Sequence, residues 1–399
     1  MFQSLKIKDL LLVIILITVT VGVGYFYANN QARNQVWQSL YPVRAQLALQ
    51  HVSCSEGSPS WLIDILIEKT KYQNAPANQI AYIDPQGQLY HCESGYVDGL
   101  PLLSEPISTD IRFRYASVTK LWTSDAILEL IKQGRFTLET PLAELLPEIN
   151  QPKDARVNDI TIKQLLMHQG GFNRLDIQGN DMFGIGEPVC PNSIETMNKI
   201  KLSFTPGTQT SYSNLGYCLL GAVVEQVSGQ PYQEYLQTHY DIQNTDIQFI
   251  SSQRLDDEIS YNYTETGLTG ISDIYTAFNY EDLYSVAGLS GNAVALAQQS
   301  KAMSAKRQPN ILSVEADMDC DKRKLGLCYG YAMMPYQPDI QAATTYFRDG
   351  TLLGLSSLVA VSDSGGVVAL LSNGTPTDIE HSNDTIKTMI YTHLTNNPQ

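Results

Sequence analysis

Positive charge is scarce in this sequence: 26 Lys and Arg residues stand against 41 Asp and Glu, a formal net charge of −15 over 399 residues. A surface this acidic repels phosphate backbones, and no basic cluster offsets it, so a nucleic-acid partner is excluded. Charged residues make up only 17% of the chain and hydrophobic residues 43%. That balance excludes intrinsic disorder, and the length allows one large domain or two to three average ones.

Cysteine is also sparse, and its spacing is not that of a metal site. None of the six cysteines lies in a CxxC or CxxH pair, so the sequence gives no support for zinc. Cys320 and Cys328 enclose a short charged segment and are predicted to form a disulfide. For the other four, a disulfide and a buried thiol are equally open, because a free cysteine packs as a small hydrophobic residue. These four are Cys54, Cys92, Cys190 and Cys218.

Long uncharged runs that are also almost entirely apolar are absent except near the N-terminus. Residues 10–28 (LLLVIILITVTVGVGYFYA) carry no charge, and nineteen residues are just enough to cross the bilayer core as a helix. Lys6 and Lys8 precede the run, which is typical of a cytoplasmic N-terminus. The sequence therefore predicts a cytoplasmic segment 1–9, a transmembrane anchor 10–28 and an extracytoplasmic body. A cleaved signal peptide with small residues before the cut is the alternative.

The rest of the chain is predicted to be a stalk followed by one domain. Residues 29–57 are polar with scattered apolar positions, and the domain is expected to span 58–399. Apolar and β-branched runs mark its two ends, whereas its middle has apolar residues at helical spacing. The expected fold class is α/β of the α+β type. An antiparallel sheet from about 58–116 and 335–399, flanked by terminal helices, would surround an inserted, mainly helical region of about 117–334.

Local signals support this organisation. Residues 84–87 (DPQG) are a turn sequence between two apolar runs, and residues 362–366 (SDSGG) separate two β-branched runs in the same way. Apolar residues from Leu121 to Ile131 recur at helical spacing until Gly134 ends the pattern. The first two signals predict hairpins at both ends of the domain, and the third predicts a helix at the start of the inserted region.

The sequence lacks G-x-S-x-G, so the nucleophile elbow of α/β-hydrolases has no candidate serine. It does contain an S-x-x-K motif, Ser117 and Lys120, where the first helix of the inserted region begins. Three residues along a helix place both side chains on one face, where a neutral amine can accept the serine proton. Tyr212 and Asn214 form a Tyr-x-Asn pair. Each pattern is expected about once by chance in a chain of this composition, so neither carries a function by itself.

Five longer blocks supply the context for these motifs. The sequence resembles the class C β-lactamase and D-Ala-D-Ala peptidase-like serine hydrolases, a β-lactamase-related and penicillin-binding-protein-like family. The similar blocks occur in the family's order and cover roughly residues 80–395. They are FRYASVTKLWTSDAILELIKQGRFTLETPLAELLPEI, ITIKQLLMHQGGF, FTPGTQTSYSNLGYCLLGAVVEQVSG, AGLSGNAVALAQ and FRDGTLLGLSSLVAVSDSGGVVALLSN. The resemblance implies a β-lactamase/transpeptidase-like fold with the active site between the sheet and the helical region.

The resemblance also implies a role for each motif residue. Ser117 matches the acylated nucleophile, Lys120 its partner base, and Tyr212 the tyrosine that shuttles protons with that lysine. Asn214 matches the residue that orients the substrate and the lysine. The backbone N–H groups of Ser117 and Thr351 match the two donors of an oxyanion hole. No metal or organic cofactor is expected.

The third family motif departs from the expected Lys-Thr-Gly or His-x-Gly, because this chain has Arg348, Asp349 and Gly350 there. Arg348 retains a cation that could hold a substrate carboxylate with two hydrogen bonds, and a structural Arg–Asp pair is the alternative. Asp349 replaces a hydroxyl residue and is expected either to neutralise Arg348 or to repel an anionic substrate. Gly350 fits a close approach of the backbone to the site. His168, in the second block, is interpreted as structural.

These features predict a membrane-anchored, extracytoplasmic serine hydrolase that forms an acyl-enzyme. Its substrate is expected to be a small-molecule ester or a D-amino-acid peptide of the kind derived from peptidoglycan. A carboxylesterase or D-Ala-D-Ala peptidase is favoured over a β-lactamase, because the lysine of the third motif is missing. The expected location is the bacterial inner membrane, with the catalytic domain in the periplasm. The alternative is a non-catalytic penicillin-binding-like module that binds peptidoglycan or a protein partner.

Overall fold

The two predicted hairpin turns fold as their sequences indicate. In the first, Gly87 adopts a φ of 93°, and Asp84 Oδ1 accepts a hydrogen bond of 2.7 Å from the amide of Gln88. In the second, Gly365 adopts a φ of 89°. Each turn joins two neighbouring antiparallel strands. The structure, a computed structural model, describes residues 7–98, 104–173, 190–261, 274–275, 277–315, 320–375 and 382–396.

The strands of the described residues form two antiparallel sheets. They are β1 (Val52–Cys54), β2 (Asn78–Ile83), β3 (Leu89–Ser94), β4 (Phe113–Arg114), β5 (Gln248–Phe249), β6 (Leu289–Gly291), β7 (Met334–Tyr336), β8 (Thr345–Leu352), β9 (Leu355–Ser362) and β10 (Val367–Ser372). The large sheet has seven strands in the order β1-β3-β2-β10-β9-β8-β7. Both ends of the domain therefore contribute strands, and the predicted fold class is confirmed.

The helices lie before, within and after the strands of the large sheet. Those of the described residues are α1 (Ile7–Ala28), α2 (Asn30–Ala48), α3 (Ser60–Tyr72), α4 (Lys120–Lys132), α5 (Leu142–Leu145), α6 (Ile162–Leu166), α7 (Asn214–Ser228), α8 (Tyr232–His239), α9 (Tyr284–Ala287), α10 (Ala293–Ser304) and α11 (Ser382–Asn396). Helix α4 forms where the helical spacing from Leu121 predicts it. Helix α11 is the terminal helix expected at the end of the domain.

The central strands are buried on both faces, because side chains alternate between the two sides of a strand. On β10, Val368 and Leu370 pack with the apolar faces of α3 and α11. Val367 and Leu371 of the same strand belong instead to the larger core that the sheet shares with the inserted helices. The inserted region is therefore packed directly on the large sheet, and residues of the sheet and of the inserted region meet where the two are in contact.

A small second sheet, which the sequence does not predict, joins the first sheet segment to the inserted region. Strands β4, β6 and β5 pair in that order, antiparallel. Strands β5 and β6 lie within residues 117–334, expected to be mainly helical, whereas β4 lies just before them. Each has only two or three residues, which is too short to show the alternation that identifies a strand in a sequence. Strand β4 matters for the site, because the chain passes from it directly into the segment that contains Ser117.

The segment expected to be a stalk takes part in the fold. Residues 29–57 include α2 and β1, and β1 is an edge strand of the large sheet. A disulfide between Cys54 and Cys92 links β1 to its neighbour β3. The predicted disulfide between Cys320 and Cys328 is confirmed. The two cysteines that remain, Cys190 and Cys218, also form a disulfide.

The predicted transmembrane anchor is wrong. Residues 10–28 belong to α1, but in the described part of the chain we find no helix whose length and apolar character suffice to cross a membrane. A helix that spans a bilayer needs ~20 apolar residues, and the uncharged run has nineteen. The length of the run was therefore only just sufficient to predict an anchor. The single-pass inner-membrane location and the cytoplasmic segment 1–9, which depended on this anchor, are corrected with it.

Candidate active site

Ser117 lies in a short, constrained turn between β4 and α4. The turn is a 3₁₀ segment, Ala116–Thr119, and Ala116 enters it with a φ of 46°, a conformation that costs a residue with a side chain about 1 kcal/mol or more. Just before the turn, the Tyr115 amide donates to the carbonyl of Leu289 on β6 at 2.8 Å. The small sheet thus fixes the chain immediately ahead of the serine.

The structure brings Ser117 and Lys120 together, as the S-x-x-K spacing predicts. The Lys120 side chain is completely buried, and its Nζ donates to Ser117 Oγ at 3.2 Å. It also donates to Asn214 Oδ1 at 2.9 Å and to the Val286 carbonyl at 3.0 Å. These three acceptors are uncharged oxygens. In its neutral form the amine has two N–H donors and one lone pair, so it would donate to Asn214 and Val286 and accept from the serine hydroxyl.

Tyr212 reaches the same serine oxygen from a distant part of the chain. Its hydroxyl donates to Ser117 Oγ at 2.7 Å. Tyr212 lies at the entry to α7, where Ser213 caps the helix by accepting the Gly216 amide and Asn214 is the first helical residue. The cap therefore fixes the Tyr-x-Asn motif, with the tyrosine on the serine and the asparagine on Lys120.

Arg348 lies beneath the site and contacts the main chain of Ser117. Its Nε donates to the Ser117 carbonyl at 3.2 Å, and its Nη1 donates to the Ala332 carbonyl at 3.3 Å. The side chain is only 2% exposed, and its Nη2 has no hydrogen-bond partner among the described residues. One nitrogen of the guanidinium is therefore uncommitted, while Nε braces the turn and Nη1 is bonded to the chain at Ala332.

Two cations lie against the ring of Tyr212. Lys120 Nζ is 5.1 Å and Arg348 Cζ is 5.8 Å from its centroid. Tyr217 on α7 has the same two neighbours, at 5.6 Å and 5.5 Å. Cations at this distance interact with aromatic rings and stabilise negative charge that develops nearby during proton transfer.

Asp349 does not pair with Arg348, which was one of the two roles expected from the sequence. Its side chain forms an ion pair with Lys387 of α11, with 2.6 Å between Nζ and Oδ2, so it does not pair with Arg348. Burial raises the pKa of the Asp349 carboxyl, but Lys387 and Arg348 together hold it below its usual value. Adjacent residues of a strand point to opposite faces, which explains why the two charges of the motif are separated.

The same face of the sheet buries a second lysine. Lys69 of α3 donates to Ser356 Oγ at 3.0 Å, and burial lowers its pKa to about 7, with Asp349 opposing and Lys387 adding to that change. Asp349 is therefore part of a charged cluster that joins α3 and α11 to β8. The cluster lies on the face of β8 away from Ser117.

Gly350 allows β8 to touch the turn that contains Ser117. A Cβ at this position would lie 2.8 Å from the Ser117 amide nitrogen and 2.6 Å from the Tyr115 carbonyl oxygen, so no side chain fits. Thr351 follows on the same strand. Strand β7 pairs with β8 only as far as Phe347, which leaves the segment with Gly350 and Thr351 without a neighbouring strand on that side among the described residues.

Sequence reasoning missed several residues that shape the site. Ser357 of β9 donates to the Tyr115 carbonyl at 2.6 Å, and Val286 supplies a carbonyl to Lys120. Neither residue belongs to a motif. A backbone carbonyl group is the same in every residue, so its role as an acceptor cannot be recognised from the sequence. His168, which the sequence analysis names but interprets as structural, is buried beside Tyr212, with 4.5 Å between their ring centroids. Its position in the second similar block was the one available signal.

The site geometry contains no evident metal centre. In the portions of the chain that the structure describes, no three His, Cys, Asp or Glu side chains are grouped so that they could hold a metal ion. Near Ser117 the charged groups are the cations Lys120 and Arg348. The arrangement is suited to stabilising an oxyanion and moving a proton at a serine oxygen.

Comparisons with known proteins agree with this geometry. A sequence profile of the family described as Beta-lactamase matches residues 102–388. A Dichelobacter nodosus protein, provisionally named fimbrial assembly protein FimD of serogroup D, is 36% identical over 374 residues, 93% of each chain. Esterase EstB of Burkholderia gladioli is 30% identical over 182 residues, 42% of this chain and 45% of that protein.

A solved structure has the same fold. The D-amino acid amidase of Ochrobactrum anthropi SV3, in complex with L-phenylalanine amide, has a TM-score of 0.65 with this chain at 16% identity, covering 87% of this chain and 96% of the amidase. The family profile alone spans well over half of the sequence. The chain therefore belongs to the β-lactamase family of serine hydrolases.

Proposed function

We propose that this protein hydrolyses a small-molecule ester or a D-amino-acid peptide through an acyl-enzyme on Ser117. One observation carries the proposal: the Ser117 oxygen lies within hydrogen-bond distance of both Lys120 Nζ, at 3.2 Å, and Tyr212 OH, at 2.7 Å. A serine hydroxyl is a weak nucleophile, and an adjacent proton acceptor is what activates it. Two titratable groups at one serine oxygen supply both the acceptor and a route for the proton.

In the first step the Ser117 oxygen attacks the carbonyl carbon of the substrate. Its proton passes to Lys120 Nζ, either directly or through the Tyr212 hydroxyl, as a new C–O bond forms. Burial favours the neutral form of an amine, and only that form can take the proton. Lys120 is completely buried, and Asn214 and Val286 can accept both N–H groups of the neutral amine, which leaves its lone pair for the serine proton.

The oxyanion of the tetrahedral intermediate would accept hydrogen bonds from the N–H groups of Ser117 and Thr351. The close contact of Gly350 with the Ser117 nitrogen supports this assignment, because it holds the next residue of β8 beside the nucleophile. A donor of this kind contributes ~3–4 kcal/mol to transition-state stabilisation in other acyl-transfer enzymes. When the intermediate collapses, the leaving group takes the proton back from Tyr212 or Lys120.

Deacylation reverses the order of the same groups. A water molecule gives its proton to Lys120 or Tyr212 as its oxygen attacks the ester carbon of the acyl-enzyme. Ser117 then leaves and regains its proton, so that the enzyme is restored and a carboxylic acid is released. Asn214, bonded to Lys120 at 2.9 Å, would keep the amine in line with the serine during both steps and orient the substrate.

Arg348 would bind a carboxylate of the substrate through the donor that the protein does not use. Nε and Nη1 are bonded to main-chain carbonyls, whereas Nη2 has no partner in the described part of the chain. A buried guanidinium without a neighbouring carboxylate is suited to an anionic group, since Asp349 is occupied by Lys387. This favours substrates such as D-amino-acid peptides that carry a free carboxylate, and the kinship with EstB favours esters.

A second candidate function concerns the biological process that the reaction serves. The FimD relative aligns over 93% of this chain, and the alignment must therefore include most of the first 101 residues, which lie outside the family profile. That shared N-terminal part favours a role in fimbrial assembly for this chain as well. A role in assembly could also be filled by the alternative, a non-catalytic binding module. The contacts of Lys120 and Tyr212 with Ser117 argue against that alternative.

Replacing the nucleophile tests the reaction itself. Ser117→Ala should lower kcat for hydrolysis of a nitrophenyl ester by at least about 10⁴-fold, because the other site groups act through the serine oxygen. Ser252→Ala is the matched control, since Ser252 is an exposed serine in a loop, and its kinetics should equal those of the wild type. Retention of most activity in Ser117→Ala would disprove the assignment.

The role of Arg348 is tested by a ratio of two substrates. Arg348→Lys keeps the charge but loses the planar donor set, so kcat/KM for an ester with a free carboxylate should fall about 10-fold more than for a neutral ester. The substitution also weakens the contact of residue 348 with the Ser117 turn, but this lowers kcat/KM equally for both esters and therefore cancels in their ratio. If both substrates decline in parallel, Arg348 acts on the turn alone.

The link to fimbriae is tested in the organism that carries this chain. A deletion strain should regain surface fimbriae when it expresses the wild type or Ser252→Ala, and should not when it expresses Ser117→Ala at the same level. Electron microscopy counts the fimbriae and immunoblotting checks the protein level. Full restoration by Ser117→Ala would support a binding role without catalysis, and normal fimbriae in the deletion strain would exclude a role in assembly.

A further inference from the structure

His168 is a buried histidine that the proposed reaction does not use directly. It is 2% exposed and lies in the loop after α6 with a φ of 58°, in the left-handed region that few residues with a side chain adopt. This backbone conformation turns its carbonyl toward the segment before α7, where it accepts the Ser211 amide at 2.8 Å. The unfavourable backbone conformation of His168 thus accompanies a hydrogen bond to Ser211, the residue before Tyr212.

The His168 side chain holds the other side of the same tyrosine. Its Nδ1 accepts the Ser213 amide at 3.2 Å. Ser211 and Ser213 flank Tyr212, so one histidine bonds the main chain on both sides of the residue that reaches Ser117. Its ring also packs beside the Tyr212 ring, with 4.5 Å between centroids and an interplanar angle of 36°.

The surroundings of His168 keep its imidazole neutral. Burial lowers the pKa of His168 well below its usual value, and the nearby cations Arg348 and Lys120 lower it further. Its other close neighbours are aromatic: the rings of Tyr217 and Tyr329 each lie 5.0 Å from the His168 ring. A neutral imidazole that accepts at Nδ1 carries its proton on Nε2, and this nitrogen has no partner among the described residues.

We propose that His168 is a positioning residue, which holds Tyr212 on Ser117 through the bond from the Ser213 amide to Nδ1. This rests on the proposed function of Ser117 and Tyr212. If the ring were protonated, Nδ1 would become a donor facing the Ser213 N–H, and a third cation would lie beside Lys120 and Arg348. Two opposed donors repel, so the Tyr212 hydroxyl would leave its position at 2.7 Å from the serine oxygen.

Two substitutions separate this role from simple packing. His168→Asn tolerates the left-handed backbone, and its side-chain oxygen can accept the Ser213 amide in place of Nδ1. His168→Gly tolerates the same backbone but offers no acceptor. Both variants lose the imidazole ring, so both lose packing, and neither introduces backbone strain. The pair therefore differs in the acceptor, which is the feature under test.

The rate of Ser117 labelling by a fluorophosphonate, measured on the full chain well below both melting temperatures, is the readout. We expect His168→Gly to label at least about 10-fold more slowly than the wild type, because a small displacement of a reacting group costs that much or more. His168→Asn should stay within about fivefold of the wild type. Equal rates for the two variants, or a wild-type rate for His168→Gly, would overturn the proposal.

A second measurement does not depend on catalysis. The ¹⁵N chemical shifts of His168 should show a neutral ring protonated at Nε2 throughout pH 5.5–8, and a ring that titrates near its ordinary value would overturn the proposal. Failure of the proposed function has a different signature. In that case the wild type would not be labelled at Ser117 at all, while the ¹⁵N shifts would still decide the state of His168.

Discussion

The contact between β8 and the turn that carries Ser117 is the constraint on which the site depends. A Cβ on Gly350 would come within 2.8 Å of the Ser117 nitrogen, and Arg348 of the same strand donates to the Ser117 carbonyl. The turn belongs to the inserted region and β8 to the sheet, so this contact fixes the two units against each other. Lys120 and Tyr212 then complete the site from the helical side.

The charges of β8 are divided between its two faces, and this division keeps the site cationic. Arg348 faces the serine, whereas Asp349 pairs with Lys387 beside the buried Lys69. The departure from the family motif therefore adds no anion to the site. It adds an ion pair that ties β8 to α11, and a guanidinium that contacts the main chain of Ser117 where the family has a lysine or histidine.

The sequence predicts local features of this site well and long-range ones poorly. Helical spacing places Ser117 next to Lys120, and turn residues predict both hairpins of the sheet. The bonds of Tyr212 to Ser117 and of Lys387 to Asp349 span long stretches of chain, and only the resemblance indicates the first. The side of β8 to which the Asp349 side chain points decides its partner, and the identity of the residue does not reveal that side. The predicted membrane anchor was wrong because a run of nineteen residues is only just long enough to suggest a bilayer span. The small sheet was missed because strands of two or three residues are too short to show an alternating pattern.

The central claim is that Ser117 forms a covalent acyl intermediate. Rapid-quench mass spectrometry of the full chain during turnover of an ester tests it most directly, because it detects the intermediate itself. The account predicts a transient species heavier by one acyl group, and peptide mapping should place that group on Ser117. Turnover with no acylated protein at any time, or with the acyl group on a different residue, would contradict the account.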